Sequence, residues 1–265
     1  MADPAAPVPG RSAAVVGTGT IHSPCSRWWT GRPGPAAGRT LVCLPYAGGG
    51  PQTYQGWETS LPAATSVLAV TPPGRGRRFA EPLCRDIPSL VEPLARELAA
   101  ALDGPYTLFG HSLGATVAFE LCREVRRIGF RPPASLVVSG RQAPDLPWTE
   151  RPISGLPDAD FTDALRDLGG TPEAVFGQPE LMGLLMPSLR ADFAIVESYR
   201  YLDEAPLDVP ILALAGTRDQ RATEDRMSGW ARQTSASFTL RTVDGGHFFV
   251  DTEPVCVTGL LSAAL

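Results

Sequence analysis

Gly110-His111-Ser112-Leu113-Gly114 follows an apolar run, Tyr106 to Phe109, and opens a stretch of helical periodicity, Leu113 to Gly129. A serine flanked by glycines, with a strand before it and a helix after it, has the pattern of a nucleophile elbow. In such a turn the backbone is so tight that only glycine fits at the flanks, and the serine hydroxyl is thrust out above a sheet. The pentapeptide alone also suits an ordinary glycine-rich turn. The strand and the helix are what that blander reading does not require.

Upstream, Leu41-Val42-Cys43-Leu44 reads as a buried strand, and Tyr46-Ala47-Gly48-Gly49-Gly50 comes directly after it. Glycines there leave backbone N–H groups free to point into a site. In an α/β-hydrolase this loop supplies one oxyanion donor and the residue after the nucleophile supplies the other, which here are the amides of Ala47 and Leu113. Gln52 to Leu61 suits a short helix and Ser66 to Val70 a second buried strand. Pro72 to Phe79 is too rich in proline and glycine for regular structure. Its Arg75, Arg77 and Arg78 suit either an anionic partner or a solvated loop. Ile87 to Leu102 carries a helical stripe able to cover one face of a sheet.

Downstream, Ala134 to Ser139 is another strand, and the strand–helix alternation then lapses from Gly140 to Pro206. Within that stretch Asp158 can cap a helix through Leu168, and Pro179 to Leu202 is a longer helical pattern interrupted by Pro187. An insertion of this kind above the strand ends, about residues 145–205, is expected to be a helical lid. Its Met182, Leu184, Leu185, Met186, Leu189, Phe193 and Val196 either line an acyl channel or pack the lid itself. The alternation resumes with strand Ile211 to Ala215, a helix near Thr223 to Arg232, strand Phe238 to Val243 and a last helix. The expected fold is therefore α/β: an α/β-hydrolase whose mostly parallel sheet has helices on both faces, with the site at the carboxyl ends of the strands.

Composition narrows the functional classes. The chain has 265 residues and a net charge of −5, so there is no basic surplus for nucleic acid. No apolar run approaches the ~20 residues needed to cross a bilayer. Residues 1 to 20 lack a secretory pattern, and a cytoplasmic location is expected. Five widely spaced cysteines with no C-x-x-C pair favour reduced thiols over disulfides or zinc. Residues 1–25, rich in Ala, Pro, Gly and Ser, read as a disordered tail before a single domain, 26–265. Trp28 and Trp29 are expected to pack on that domain.

A serine hydroxyl needs a base to take its proton and a third group to orient that base. Of the three histidines, His22 lies in the tail, and His111 sits in a turn expected to aim it elsewhere. His247 follows the last strand and Gly245-Gly246, where a hydrolase histidine belongs. Asp219, after strand Ile211 to Ala215, completes the order Ser, Asp, His. Asp145 is a weaker alternative for the acid, and Asp244 reads as a turn residue.

Four segments together, LVCLPYAGGG (41–50), PGRGRR (73–78), GHSLGA (110–115) and GGHFF (245–249), resemble those of type II thioesterases, the free-standing editing enzymes of polyketide and nonribosomal peptide assembly lines. The likeness runs from about Ser26 to the C-terminus. It implies Ser112, Asp219 and His247 as the catalytic set and a helical lid over them. It also implies hydrolysis of stalled acyl groups from the phosphopantetheine arm of an acyl or peptidyl carrier protein, without metal or organic cofactor. Two features depart from the family pattern: the tail is longer, and Gln220 stands where a proline often follows the acid. The other readings are a small-ester hydrolase or acyltransferase on the same fold, and a non-catalytic module that holds a carrier protein.

Overall fold

In the computed structural model the described residues are Met1, 26–35, 38–263 and 265. The tail expected at residues 1–25, with His22 and Cys25, lies outside them except for Met1. Seven strands form one sheet: β1 (Trp29–Thr30), β2 (Arg39–Leu44), β3 (Thr65–Val70), β4 (Tyr106–His111), β5 (Ser135–Ser139), β6 (Ile211–Gly216) and β7 (Phe238–Val243). Their order is β1-β3-β2-β4-β5-β6-β7, with β1 antiparallel to β3 and every other pair parallel.

The strands are apolar almost throughout because both faces are covered. Successive side chains point to opposite faces, so the sequence splits by parity. Val42, Leu44, Leu68, Leu108, Leu136, Val138 and Ala213 pack on one side, against α1 (Ile87–Ala101) and α2 (Leu113–Arg127). Leu41, Cys43, Val67, Phe109, Val137 and Leu214 pack on the other, against Tyr54 and Trp57 and against the C-terminal helices. Trp28 and Trp29 are buried in the first of these clusters. Each fully buried side chain of this size stabilises the fold by roughly 1.5–3 kcal/mol before ordering costs.

Between β5 and β6 three helices form a separate layer: α3 (Asp158–Leu168), α4 (Glu173–Phe176) and α5 (Pro179–Ser198). They enclose their own cluster of Phe161, Leu165, Met182 and Leu189. After β6 comes α6 (Glu224–Ser228), and after β7 come α7 (Phe249–Thr252) and α8 (Pro254–Ser262).

Several local expectations are corrected. Residues 52–61 do not form one helix; two 3-10 turns, Pro51–Tyr54 and Trp57–Thr59, are separated by Gly56 in the left-handed region. Gly76–Arg78, inside the segment read as irregular, forms a further 3-10 turn. Asp158 is not a cap but the first helical residue, following Pro157, and its carboxylate pairs with Arg190 at 2.7 Å. Helix α5 runs unbroken through Pro187. The ~3 kcal/mol penalty of an internal proline is offset by apolar neighbours on both sides of it, Met182, Leu185, Met186 and Leu189, that share the lid cluster. The helix near Thr223 to Arg232 stops being an α-helix at Ser228 and tightens into a 3-10 turn, Gly229–Gln233.

Candidate active site

The elbow is as tight as its sequence demands. Ser112 has φ 53° and ψ −116°, a strained conformation for a residue with a side chain. A Cβ on Gly110 would lie 2.0 Å from the Gly114 carbonyl oxygen, and one on Gly114 would lie 2.0 Å from that of Leu44. The turn is held by the Ser112 amide, which donates to the Ser139 carbonyl at 2.8 Å. The strain keeps the hydroxyl above the sheet, at the mouth of a cavity of about 460 Å³ shared with His247, Ala47 and Trp148.

His247 lies in the loop after β7, with its Nε2 3.0 Å from Ser112 Oγ and its Nδ1 2.7 Å from Asp219 Oδ2. Asp219, in the loop after β6, is 4% exposed, and its second oxygen accepts from the Arg221 and Ala222 amides at 2.9 and 3.2 Å. Burial works to raise this carboxyl. The hydrogen bond and charge of His247, with the two amides, outweigh it and hold Asp219 below the usual carboxylate range. The carboxylate fixes the imidazole with its proton on Nδ1 and leaves Nε2 to accept from the serine, so the set can abstract the hydroxyl proton.

The other acid candidates are engaged elsewhere. Asp145 pairs with Arg232 at 2.7 Å, and Asp244 is bonded to Thr217 and Arg218 in its turn. His111 is aimed away from the Ser112 hydroxyl, as expected, but it bonds the backbone of the residue that meets that hydroxyl. It is the last residue of β4, fully buried, and its Nε2 lies 2.9 Å from the backbone oxygen of His247 while Nδ1 lies 2.9 Å from Ser139 Oγ. The partner of Nε2 is a carbonyl, so Nε2 carries the hydrogen and Nδ1 accepts from the serine hydroxyl. Burial, reinforced by the nearby His247, lowers His111 to about 3 and keeps it neutral. The sequence pattern, which aims His111 away from the nucleophile, carries no sign of this brace on His247.

The loop after β2 is tied from an unexpected direction. The Gly48 amide donates to Asp192 Oδ2 of the lid helix α5 at 2.7 Å, and Arg75 from the PGRGRR segment pairs with the same carboxylate. Burial pushes the Asp192 carboxyl up, and the Arg75 charge and Gly48 amide pull against it. The Gly49 amide turns back to the Tyr46 carbonyl at 2.8 Å. With those two amides consumed, the Ala47 amide has no acceptor among the described residues, and neither has that of Leu113 at the start of α2. Of the other arginines in the segment, Arg78 bonds Glu81 and lies 3.7 Å over the Trp28 ring. Of the seven apolar lid residues singled out in the sequence, Phe193 and Val196 line the cavity. Met182 and Leu189 fill the lid cluster, with Leu185 and Met186 packed against it, and Leu184 is exposed.

The sequence relationships agree with this geometry. The family model of the thioesterase domain matches residues 39–262. Gramicidin S biosynthesis protein GrsT of Aneurinibacillus migulanus is 37% identical over 232 residues, which cover 87% of this chain and 91% of that protein. Thioesterase PikA5 of Streptomyces venezuelae is 40% identical over 227 residues, covering 83% of this chain and 79% of its own. Among solved structures, the type II thioesterase BorB from the borrelidin biosynthetic cluster superposes with a TM-score of 0.81 at 37% identity, covering 89% of this chain and 97% of that one. The match over nearly all of the fold, elbow and lid included, means that the chain belongs to the thioesterase family, as a type II thioesterase on the α/β-hydrolase fold.

Proposed function

We propose that Ser112, His247 and Asp219 act as a catalytic triad that hydrolyses acyl thioesters carried on the phosphopantetheine arm of an acyl or peptidyl carrier protein, as an editing step in polyketide or nonribosomal peptide synthesis. The single observation that carries the triad is the continuous hydrogen-bonded line from Ser112 Oγ through His247, at 3.0 Å, to Asp219, at 2.7 Å. The carrier-borne substrate rests on kinship with enzymes such as BorB.

His247 takes the serine proton as Oγ attacks the thioester carbonyl. The Ala47 and Leu113 amides hold the resulting oxyanion. The tetrahedral intermediate collapses, the C–S bond breaks, and the thiol leaves with the proton from His247. An acyl-Ser112 ester remains. A water molecule deprotonated by His247 then attacks the ester, the proton returns to Ser112 Oγ, and the free acid departs. We assign Asp192 and Arg75 a positioning role: Asp192 accepts from the Gly48 amide and Arg75 holds that carboxylate, which fixes the loop that presents the Ala47 amide. The domain is taken as residues 26–265, with about 145–205 as a lid over the cavity. Among the described residues no helix is long and apolar enough to cross a membrane, which suits work on carrier proteins in the cytoplasm.

The experiment is steady-state hydrolysis of an acylated carrier protein and of a simple ester of the same acid, by the wild type and by Asp192→Ala. The carrier-bound thioester should turn over at least about tenfold more efficiently than the ester. Asp192→Ala should lower kcat by about 10–100-fold with KM nearly unchanged, the signature of a donor lost only in the transition state. Equal use of ester and thioester would favour the general esterase reading. A loss confined to KM would remove Asp192 from the oxyanion loop's support.

A further inference from the structure

The cavity lining contains a charge that makes no ion pair among the described residues. Arg141 lies two residues beyond Ser139, whose carbonyl takes the Ser112 amide, so it stands beside the elbow. Its backbone is fixed: the Gly140 amide donates to the Leu214 carbonyl at 3.0 Å, and the Arg141 carbonyl accepts from Trp230 Nε1 at 2.7 Å. Arg141 lines the cavity and is 9% exposed. The guanidinium lies 4.3 Å over the Trp148 ring. Among the described residues it makes neither an ion pair nor a hydrogen bond.

The other deeply buried arginines of the fold are not left this way. Arg78 bonds Glu81 and the Thr71 carbonyl, and Arg123 bonds Glu120 and the Leu202 carbonyl. The Trp148 Nε1 has no hydrogen-bond partner among the described residues, but it is shielded from solvent and so lies out of a ligand's reach; the ring face alone serves Arg141. The acidic groups that line the cavity do not answer Arg141. Glu150 faces Arg221 at 3.8 Å, Glu197 is taken up by the Ile153 and Ser154 amides, and Asp167 is exposed. Burial lowers Arg141 to about 10, which leaves it charged at neutral pH, and Glu150 and Tyr199 oppose that shift only from a distance. A buried donor without an acceptor is costly, so one at a ligand cavity favours a ligand that brings an acceptor to it.

We propose that the Arg141 guanidinium, held over the Trp148 ring, forms a subsite for an oxygen acceptor on the acyl chain, so that acyl groups bearing a keto, hydroxyl or carboxylate oxygen are hydrolysed in preference to plain alkyl chains of the same length. This rests on the thioesterase reading of the site. It assigns the two sides of the chamber different tasks: Leu168, Phe193 and Val196 on the lid meet the hydrocarbon, and the Arg141 fork meets the oxygen. Arg141 is thereby a specificity residue for the acyl group and has no part in proton transfer.

The test loads a carrier protein with hexanoyl, 3-oxohexanoyl, 3-hydroxyhexanoyl and 5-carboxypentanoyl groups and measures acid release by the wild type, Arg141→Met, Arg141→Lys and Trp148→Phe. Wild type should prefer at least one oxygenated group over hexanoyl by about tenfold or more in kcat/KM, the scale of a charge-assisted hydrogen bond. The preferred member identifies the oxygen as neutral or anionic. Arg141→Met should erase that ratio while hexanoyl changes less than about twofold, with partial recovery in Arg141→Lys. Trp148→Phe keeps an aromatic face for the guanidinium and should leave the preference within about twofold of wild type. A wild-type ratio near one, or an equal fall on all four substrates in Arg141→Met, overturns the subsite. Should Arg141→Met fail to fold, the wild-type ratio and Arg141→Lys still decide. No acid from any of the four, hexanoyl included, would instead count against the thioesterase reading itself.

Discussion

Ser112→Ala should lower the release of acid from an acylated carrier protein by roughly 10⁴-fold or more, the loss expected when a nucleophile is removed from a cooperating triad. The fold should survive, because nothing that shapes the elbow depends on the hydroxyl. The turn is set by the close approaches at Gly110 and Gly114 and by the Ser112 amide on Ser139. Alanine tolerates φ 53° no better and no worse than serine, so the thermal midpoint should move by no more than about 2–4 °C. Binding of the carrier protein should be retained. Activity within tenfold of wild type would place the nucleophile elsewhere.

The second large effect is expected at Asp219. Its Oδ2 accepts the Nδ1 hydrogen of His247 at 2.7 Å, so the imidazole is held in the tautomer that presents a bare Nε2 to Ser112. An asparagine amide in that place can donate to Nδ1 and stabilise the opposite tautomer, which costs about 10⁴-fold in kcat where the same change has been made in a serine triad. Asp219→Asn should therefore lose about that much, and Asp145→Asn, whose carboxylate faces Arg232, should stay within about twofold. The stability of the two proteins should diverge with pH in a set direction. Asp219 is held below the usual carboxylate range in the fold, so its contribution is complete above that range and is lost as pH falls through the folded value. The wild type should show this acid-side loss, read as falling thermal midpoint, and Asp219→Asn should lack it. A normal kcat in Asp219→Asn would remove the residue from the triad.

The parts of this architecture that are legible in the sequence are those encoded locally. The strands around Val42, Leu108 and Val137 announce themselves by short apolar runs, and the elbow does so by its glycines. His247 and Asp219 stand out as candidates because each lies in a loop just after a strand, where a parallel sheet gathers its chemistry. The parts that stay hidden are contacts between distant segments. Strand β1 has two residues, too few to carry a period, and is specified only by pairing of Trp29 and Thr30 with β3. The Arg75–Asp192 pair spans 117 positions, and nothing in PGRGRR distinguishes an arginine that reaches the lid from one in solvent. The brace from His111 to His247 spans 136 positions and leaves no local pattern. Pro187 reads as a helix break until the lid cluster that holds the helix together is seen.

The central claim is that the acyl group passes through an ester on Ser112. Rapid mixing of the protein with a carrier protein bearing an isotope-labelled acyl group, acid quenching and mass analysis of the peptides test it directly. Within the first turnover the label should appear on the peptide containing Ser112 and decay as free acid accumulates, with no label in Ser112→Ala. Acid formed at full rate with no labelled Ser112 peptide, or label accumulating on another residue, would contradict the account.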